Sequence, residues 1–167
     1  MGLLRSLSGL IKGVGTRFTN LTSPRQVGQT EDIIVDMQVC AILGDHKKLK
    51  DIIVSSDIDH NILDEKGNTI LHLAIKHDNL KTVKVILKHA VNINVNFKNN
   101  AGNTPLHLAA MNNDLVTISL LINYHADKYV MNDQGETPYN IRGISDETSL
   151  YITGYYPPPV LQVSPRD

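Results

Sequence analysis

The fold is decided by the stretch Asn99–Ala109, which reads NNAGNTPLHLA. An almost complete copy, DEKGNTILHLA, lies upstream at Asp64–Ala74. A degenerate copy of the tetrapeptide TPLH is found as TPYN at Thr137–Asn140. The first and second copies are 35 residues apart, and the second and third are 33 residues apart. Self-similarity at this period predicts supersecondary units that stack side by side and cover one another's apolar faces.

The residues of the repeated motif each have a local role. Gly67 and Gly102 accept backbone angles that other residues resist, which suits the tip of a hairpin-like turn. Thr69 and Thr104 can cap a helix, because their side chains reach its free backbone amides. Pro105 stands at the first helical position, where a missing N–H has little consequence. The motif therefore predicts a tight turn followed at once by a helix.

Apolar residues downstream of each motif recur at spacings of three and four. They are Leu80, Val83, Ile86 and Leu87 after the first copy, and Leu115, Ile118, Leu121 and Ile122 after the second. This spacing places the apolar side chains on one face of a helix. Each unit is therefore predicted to contain a second helix that buries one face against its neighbours.

The whole pattern, D/N-x-x-G-x-T-x-L-H-x-A followed by an amphipathic helix, resembles the ankyrin repeat family. The resemblance implies an all-α fold, an ankyrin repeat solenoid of about four helix-turn-helix units with β-hairpin-like turns. It also implies that the motif histidines, His72 and His107, tie neighbouring turns together through hydrogen bonds. We therefore expect a structural role for both histidines rather than general base catalysis or metal binding.

The unit boundaries follow from the alignment of the copies. Upstream, Gly44–Ile53 aligns with Asp78–Leu87, and Ile33–Leu43 would form the helix before it. Tyr139 and Asn140 replace the usual Leu and His in the last copy, and terminal units diverge because one face meets water. We therefore predict an ankyrin domain at 31–153, between an N-terminal segment at 1–30 and a Pro-containing tail at 154–167. Within the domain we predict a degenerate cap at 31–63, repeats at 64–98 and 99–131, and a truncated cap at 132–153.

Composition narrows the class of protein further. The 167 residues carry a net charge of −1, which argues against general nucleic-acid binding. No apolar run is long enough to span a bilayer. The single cysteine, Cys40, excludes an internal disulfide and a cysteine zinc cluster. These features predict an intracellular, cytoplasmic protein, with membrane association and secretion as a pathogen effector left open.

The N-terminal segment 1–30 is basic and carries no acidic residue. Its apolar residues lie at helical spacing and are Leu3, Leu7, Leu10, Val14 and Phe18. One interpretation is an amphipathic helix at a membrane surface, supported by an N-myristoylation pattern with Gly2 as acceptor. A second is an organelle-targeting presequence, and a third is a partly disordered leader that packs loosely against the first repeat.

The sequence contains none of the common catalytic or metal-binding motifs. A glycine-rich phosphate loop, HExxH, CxxC and GxSxG are all missing, and the histidines do not pair at metal-ligand spacing. A catalytic site needs a nucleophile, a base and an orienting group that converge in a cleft. We therefore predict a protein that is not an enzyme, with no cofactor, no metal site and no small-molecule substrate.

The resemblance implies a non-catalytic protein–protein interaction module, which binds a partner protein through the concave face of the stack. Turn tips and first helices line that face, and residues beside the packing positions would carry specificity. The candidate partner-binding residues are Lys66, Asn68, Lys76, His77, Phe97, Asn100, Asn103, Met111, Asn112, Tyr129, Met131, Gln134 and Glu136. Among them Phe97, Tyr129 and Met131 are the expected anchors, because aromatic residues and methionine are enriched at interfaces.

Two alternative functions remain open at this point. One is an ankyrin-only regulatory inhibitor, resembling inhibitors of NF-κB-type transcription factors, encoded by a host or by a pathogen. The other is a membrane-tethered adaptor, in which residues 1–20 anchor the chain and the repeats recruit a protein partner.

Overall fold

The computed structural model describes residues 27–154, and all regular secondary structure within that range is helical. Within the described residues seven helices follow one another: α1 Val27–Leu43, α2 His46–Ser55, α3 Ile70–Lys76, α4 Leu80–His89, α5 Pro105–Met111, α6 Leu115–Asn123 and α7 Asp146–Thr153. The all-α prediction is therefore confirmed. The interpretations of Gly2, residues 1–20 and most of the C-terminal tail fall outside the described residues.

The helices form two layers. Helices α1, α3 and α5 pack side by side as an inner row, and α2, α4 and α6 pack behind them as an outer row. Each inner helix also packs against the outer helix that follows it in the chain. Because the main helix contacts among residues 27–154 join neighbouring units, these units form a short linear stack, as the repeat period predicts.

The motif residues start the inner helices as expected. The Thr69 hydroxyl oxygen caps α3 by accepting the His72 N–H, and Pro105 occupies the first turn of α5. Both threonines that precede these helices have extended backbone angles, and both are fully buried. The inner helices can therefore be as short as seven residues and still begin at a fixed point.

The core lies between the two rows and runs through the whole stack. Leu71 and Leu106 from the inner row meet Ile86, Ile118 and Leu121 from the outer row, and all five have no exposed surface. These side chains come from successive units. Burial at their mutual contacts therefore stabilises the stack, because a single helix pair would leave one face uncovered.

The first helix is longer than the sequence predicted. It begins at Val27, before the expected start at Ile33 and before the domain boundary at residue 31. The first unit has no glycine-containing turn like those at Gly67 and Gly102 to end a preceding segment. The stretch Gly28–Asp32 contains no proline to break an α-helix, so α1 can extend in the N-terminal direction.

The last unit lacks an inner helix within the described residues. Thr137 and the following residues make turns instead, and α7 is the unit's one helix. The cap of the next helix, Ser145, comes eight residues after Thr137, whereas Asp114 comes ten residues after Thr104. The segment between these two caps is thus two residues shorter in the fourth unit than in the third, which is too short for a two-turn helix. The fourth unit therefore departs from the expected helix-turn-helix form.

Replacing Gly102 with alanine should test how tightly successive turns pack. Gly102 has φ +72°, and a Cβ atom there would lie 2.6 Å from the Asp133 backbone nitrogen. Gly135 has φ +76° with open space around it, so Gly135→Ala is a matched control. Both variants carry about 1–2 kcal/mol of left-handed backbone strain. Gly102→Ala should be destabilised by about 1–3 kcal/mol more, measured by urea unfolding. Equal losses would show that the next turn moves aside without cost.

Candidate functional site

Hairpin-like turns at residues 64–68, 99–103 and 132–136 stack into what we call the turn column. Each turn is closed by its own backbone hydrogen bonds, such as the Asp64 N–H donating to the Asn68 carbonyl at 2.9 Å. Neighbouring turns are joined because the Asn100 N–H donates to the Lys66 carbonyl at 3.0 Å. The Asp133 N–H donates in the same way to the Ala101 carbonyl at 3.2 Å. The turn column is therefore a rigid wall.

The motif histidines fasten the turn column to the inner helices. His72 Nε2 donates to the Asn103 carbonyl at 3.1 Å, and His107 Nε2 donates to the Glu136 carbonyl at 3.0 Å. A carbonyl can only accept, so Nε2 carries the proton and Nδ1 is the acceptor. His72 Nδ1 accepts the Thr69 N–H at 3.2 Å. The structural role implied by the family resemblance is confirmed for both histidines.

Burial keeps these two imidazoles neutral. Desolvation lowers the pKa of His72 to about 4, although the hydrogen bond to the Asn103 carbonyl acts in the opposite direction. Desolvation also lowers the pKa of His107. A neutral ring matches the hydrogen bonds, because a protonated Nδ1 could not accept from Thr69. Both histidines are therefore part of the scaffold.

Asparagine side chains form a second set of contacts between the turns, which we call the asparagine seam. Asn99 Nδ2 donates to Asn68 Oδ1 at 2.9 Å, and Asn132 Nδ2 donates to Asn103 Oδ1 at 3.0 Å. Asn68 is 4% exposed and also donates to Asp64 Oδ2 at 3.0 Å. Asn68 and Asn103 were expected to contact a partner. The structure instead uses both amide groups to hold successive turns together.

A groove lies between the turn column and the inner helices of the second and third units. Its volume is about 470 Å³, and it is lined by Glu65, Lys66, Asn68, Lys76, Asn99, Asn100, Ala101, Leu108, Met111 and Asn112. Six of these residues were named from the sequence as candidates. The structure therefore brings together candidates from the turn tips and from the last turns of α3 and α5.

The groove also contains four residues that the sequence analysis did not select, namely Glu65, Asn99, Ala101 and Leu108. Glu65 and Ala101 are neighbours of selected turn residues, so their turn positions were a usable signal. Leu108 matches Leu73 in the motif, and the sequence analysis gave this position no role of its own. Leu108 is half-buried and helps to form the apolar wall of the groove.

The other seven candidates do not line this groove. His77, Tyr129, Met131 and Gln134 are exposed, while Phe97 and Asn103 are partly buried. The Tyr129 ring packs edge-on against Tyr139, with 6.2 Å between ring centroids. Glu136 accepts from Arg142 Nε at 3.0 Å and from Asn132 Nδ2 at 3.2 Å. The three expected anchors, Phe97, Tyr129 and Met131, thus lie apart from the lysines and Met111.

Two further properties of the described part of the chain concern metal ions and membranes. Among residues 27–154, His, Cys, Asp and Glu side chains do not form a group of three or more that could hold a metal ion. Over the same range, every helix is too short or too polar to cross a membrane.

Comparison with known proteins agrees with the architecture. A family model for ankyrin repeats matches residues 37–140 as three copies, which is more than half of the chain. This chain therefore belongs to the ankyrin repeat family. Ankyrin repeats are protein–protein interaction modules, and the family is typically non-catalytic. The sequence has no match among curated proteins.

Proposed function

We propose that this chain is a non-catalytic binding protein that holds a partner protein in the groove between its second and third units. The groove combines rigid walls with side chains that have no other role. The contacts between successive turns are made by Gly67 and Gly102, the motif histidines and the asparagine seam. The side chains of Lys66, Lys76 and Met111 take no part in that packing, although the Lys66 backbone carbonyl does, so these three side chains are available to a partner.

The observation that carries this proposal is the exposure of Met111 at the groove wall. Met111 ends α5 with 48% of its surface exposed, and half-buried Leu108 lies one turn before it. Methionine is enriched at protein interfaces, because its unbranched, polarisable side chain adapts to a partner's shape. Covering Met111 and Leu108 would remove apolar surface from water, whereas covering a wholly polar surface would gain much less.

Replacing Met111 with aspartate should abolish most partner binding. A central anchor contributes about 2 kcal/mol or more, so affinity should fall at least about tenfold. The matched control is Val116→Asp on the outer row, because Val116 is 53% exposed and does not line the groove. Binding is measured by placing a photo-reactive phenylalanine analogue at Glu65, an exposed groove residue that leaves both lysines in place, in each variant and comparing the cross-linked partner recovered from lysate.

The two variants must be equally folded for the comparison to hold. Far-ultraviolet circular dichroism and thermal midpoints should match, since both replaced side chains are about half exposed. Equal cross-linking by Met111→Asp and Val116→Asp would contradict the proposal. Stronger loss in Val116→Asp would move the binding surface to the outer row.

We place the site of action in a reducing intracellular compartment. The one cysteine, Cys40, is a free thiol on α1 and is 2% exposed. Burial raises its pKa, which keeps the thiol protonated and unreactive. Because a single cysteine cannot form an internal disulfide, an oxidising compartment would not stabilise this fold, which supports a reducing location.

A further inference from the structure

The groove has two cationic groups, one at each end of α3. Lys66 extends from the turn before this helix, and Lys76 is its last residue. Both lysines are exposed, and within the described residues neither ammonium group makes a hydrogen bond or an ion pair. A seven-residue helix rises about 10 Å, so the turn that carries Lys66 and the helix end that carries Lys76 are roughly 10 Å apart along the helix axis.

The wall opposite the lysines is apolar. Ala101 and Met111 are exposed there, and Leu108 lies between them, so the lining exposes more carbon than nitrogen and oxygen. Polar groups at the rim are already paired. Asn100 Nδ2 donates to the Glu65 carbonyl at 3.1 Å, and Asn112 Nδ2 donates to the Ile75 carbonyl at 3.1 Å. A partner therefore meets two free cations on one wall of the groove and an apolar surface on the other.

Nearby carboxylates do not neutralise these cations. Asp78 accepts from Asn112 Nδ2 at 3.0 Å, which directs its carboxylate toward the unit-three amide. Glu65 is the one carboxylate in the lining, so the groove's own charge is positive even though the whole chain carries −1. A positively charged groove favours partners with a negatively charged surface and speeds their association.

We infer that the groove recognises an extended acidic segment of the partner, with two carboxylates about three residues apart and an apolar side chain between them. An extended chain advances about 3.3 Å per residue, so three residues cover the roughly 10 Å between the lysines. The central side chain would contact Leu108 and Met111. This inference rests on the proposed function, because it describes the ligand of the same groove.

Selection from a random 12-residue peptide library, displayed on phage and panned on the immobilised full chain, tests the inference. Wild type should enrich peptides with paired Asp or Glu about three residues apart around an aliphatic or aromatic residue. The charge-reversed variant K66E/K76E should enrich Lys and Arg at those positions instead. The matched control, K84E/K88E, reverses two exposed lysines of α4 in the outer row and should select the wild-type motif.

The most enriched wild-type peptide is then titrated by fluorescence polarisation. Its affinity should fall at least tenfold for K66E/K76E, stay within twofold for K84E/K88E and weaken as salt is added. Enrichment without acidic residues, the same motif from both charge states, or no enrichment from wild type would each overturn the inference. If Met111-dependent cross-linking of a protein persists in any of those cases, the proposed function stands and only the ligand chemistry is wrong.

Discussion

Replacing Leu106 with alanine is expected to lower the free energy of unfolding by about 2–5 kcal/mol. Leu106 is fully buried in α5, at the junction between the second and third units. Its side chain fills space between α3, α5 and α6, and the surrounding helices cannot collapse fully around the resulting cavity. The total free energy of unfolding of a domain is about 5–15 kcal/mol, so a loss of this size could leave the variant partly unfolded.

Urea denaturation followed by circular dichroism measures this loss, with Val116→Ala as the control. Val116 is 53% exposed on α6, so its replacement should change stability by at most about 0.5 kcal/mol. A midpoint for Leu106→Ala equal to that of wild type would mean that the two units do not depend on this contact. Two separate transitions would show instead that the terminal units unfold apart from the middle ones.

The architecture was predictable because the motif encodes it locally. Thr69 starts an inner helix, Gly102 forms a turn tip with positive φ, and Pro105 occupies a first helical turn. Each residue acts on backbone only a few positions away. Repetition of the motif then places those local structures side by side, so family and fold could be predicted without knowledge of long-range contacts.

The asparagine seam was missed because its bonds join different units. Asn68 and Asn103 occupy a variable position of the motif, which sequence reasoning treats as exposed. A usable signal was present, since their partners, Asn99 and Asn132, also recur at one fixed position. Two recurring amides suggest a repeated amide–amide bond, but the direction of each side chain depends on how closely the turns approach. That distance is set by packing of the whole stack.

The groove was only partly predictable for a related reason. Lys66 and Met111 were selected as variable residues of turns and inner helices, and both line the groove. Phe97 and Tyr129 were selected for their chemistry, yet they lie in the connections that lead to the next turns. Sequence position does not reveal which side of the stack a connection follows. An aromatic residue there can pack at an edge, as Tyr129 does against Tyr139.

Acidification should destabilise the stack before its surface carboxylates are fully protonated. The folded-state pKa of His72 is about 4, whereas a histidine in the unfolded chain titrates near 6.5. Between these two pKa values His72 is protonated in the unfolded chain but neutral in the folded chain. The free energy of unfolding therefore rises with pH in this range. The contribution of His72 is therefore fully present above about pH 6.5 and is lost as pH falls toward 4. The shift corresponds to about 3 kcal/mol.

The fourth unit supplies the variant that isolates this effect. Asn140 stands at the histidine position there, and its Oδ1 accepts the Thr137 N–H at 2.6 Å, as His72 Nδ1 accepts the Thr69 N–H. His72→Asn should therefore retain the acceptor at the helix start while losing the bond to Asn103 and the titrating ring. We expect it to be less stable than wild type at pH 7.5, measured by urea unfolding.

The difference between wild type and His72→Asn is the quantity to follow with pH. Carboxylates titrate in both proteins, so their effects cancel in the difference and the imidazole contribution remains. The difference should shrink between pH 6.5 and pH 4, because protonation of the unfolded chain penalises only the protein that contains His72. His107 remains in both proteins and also has a lowered pKa, so each should still lose some stability to acid. A difference that stayed constant with pH would mean that the pKa of His72 is the same in the folded and unfolded chains.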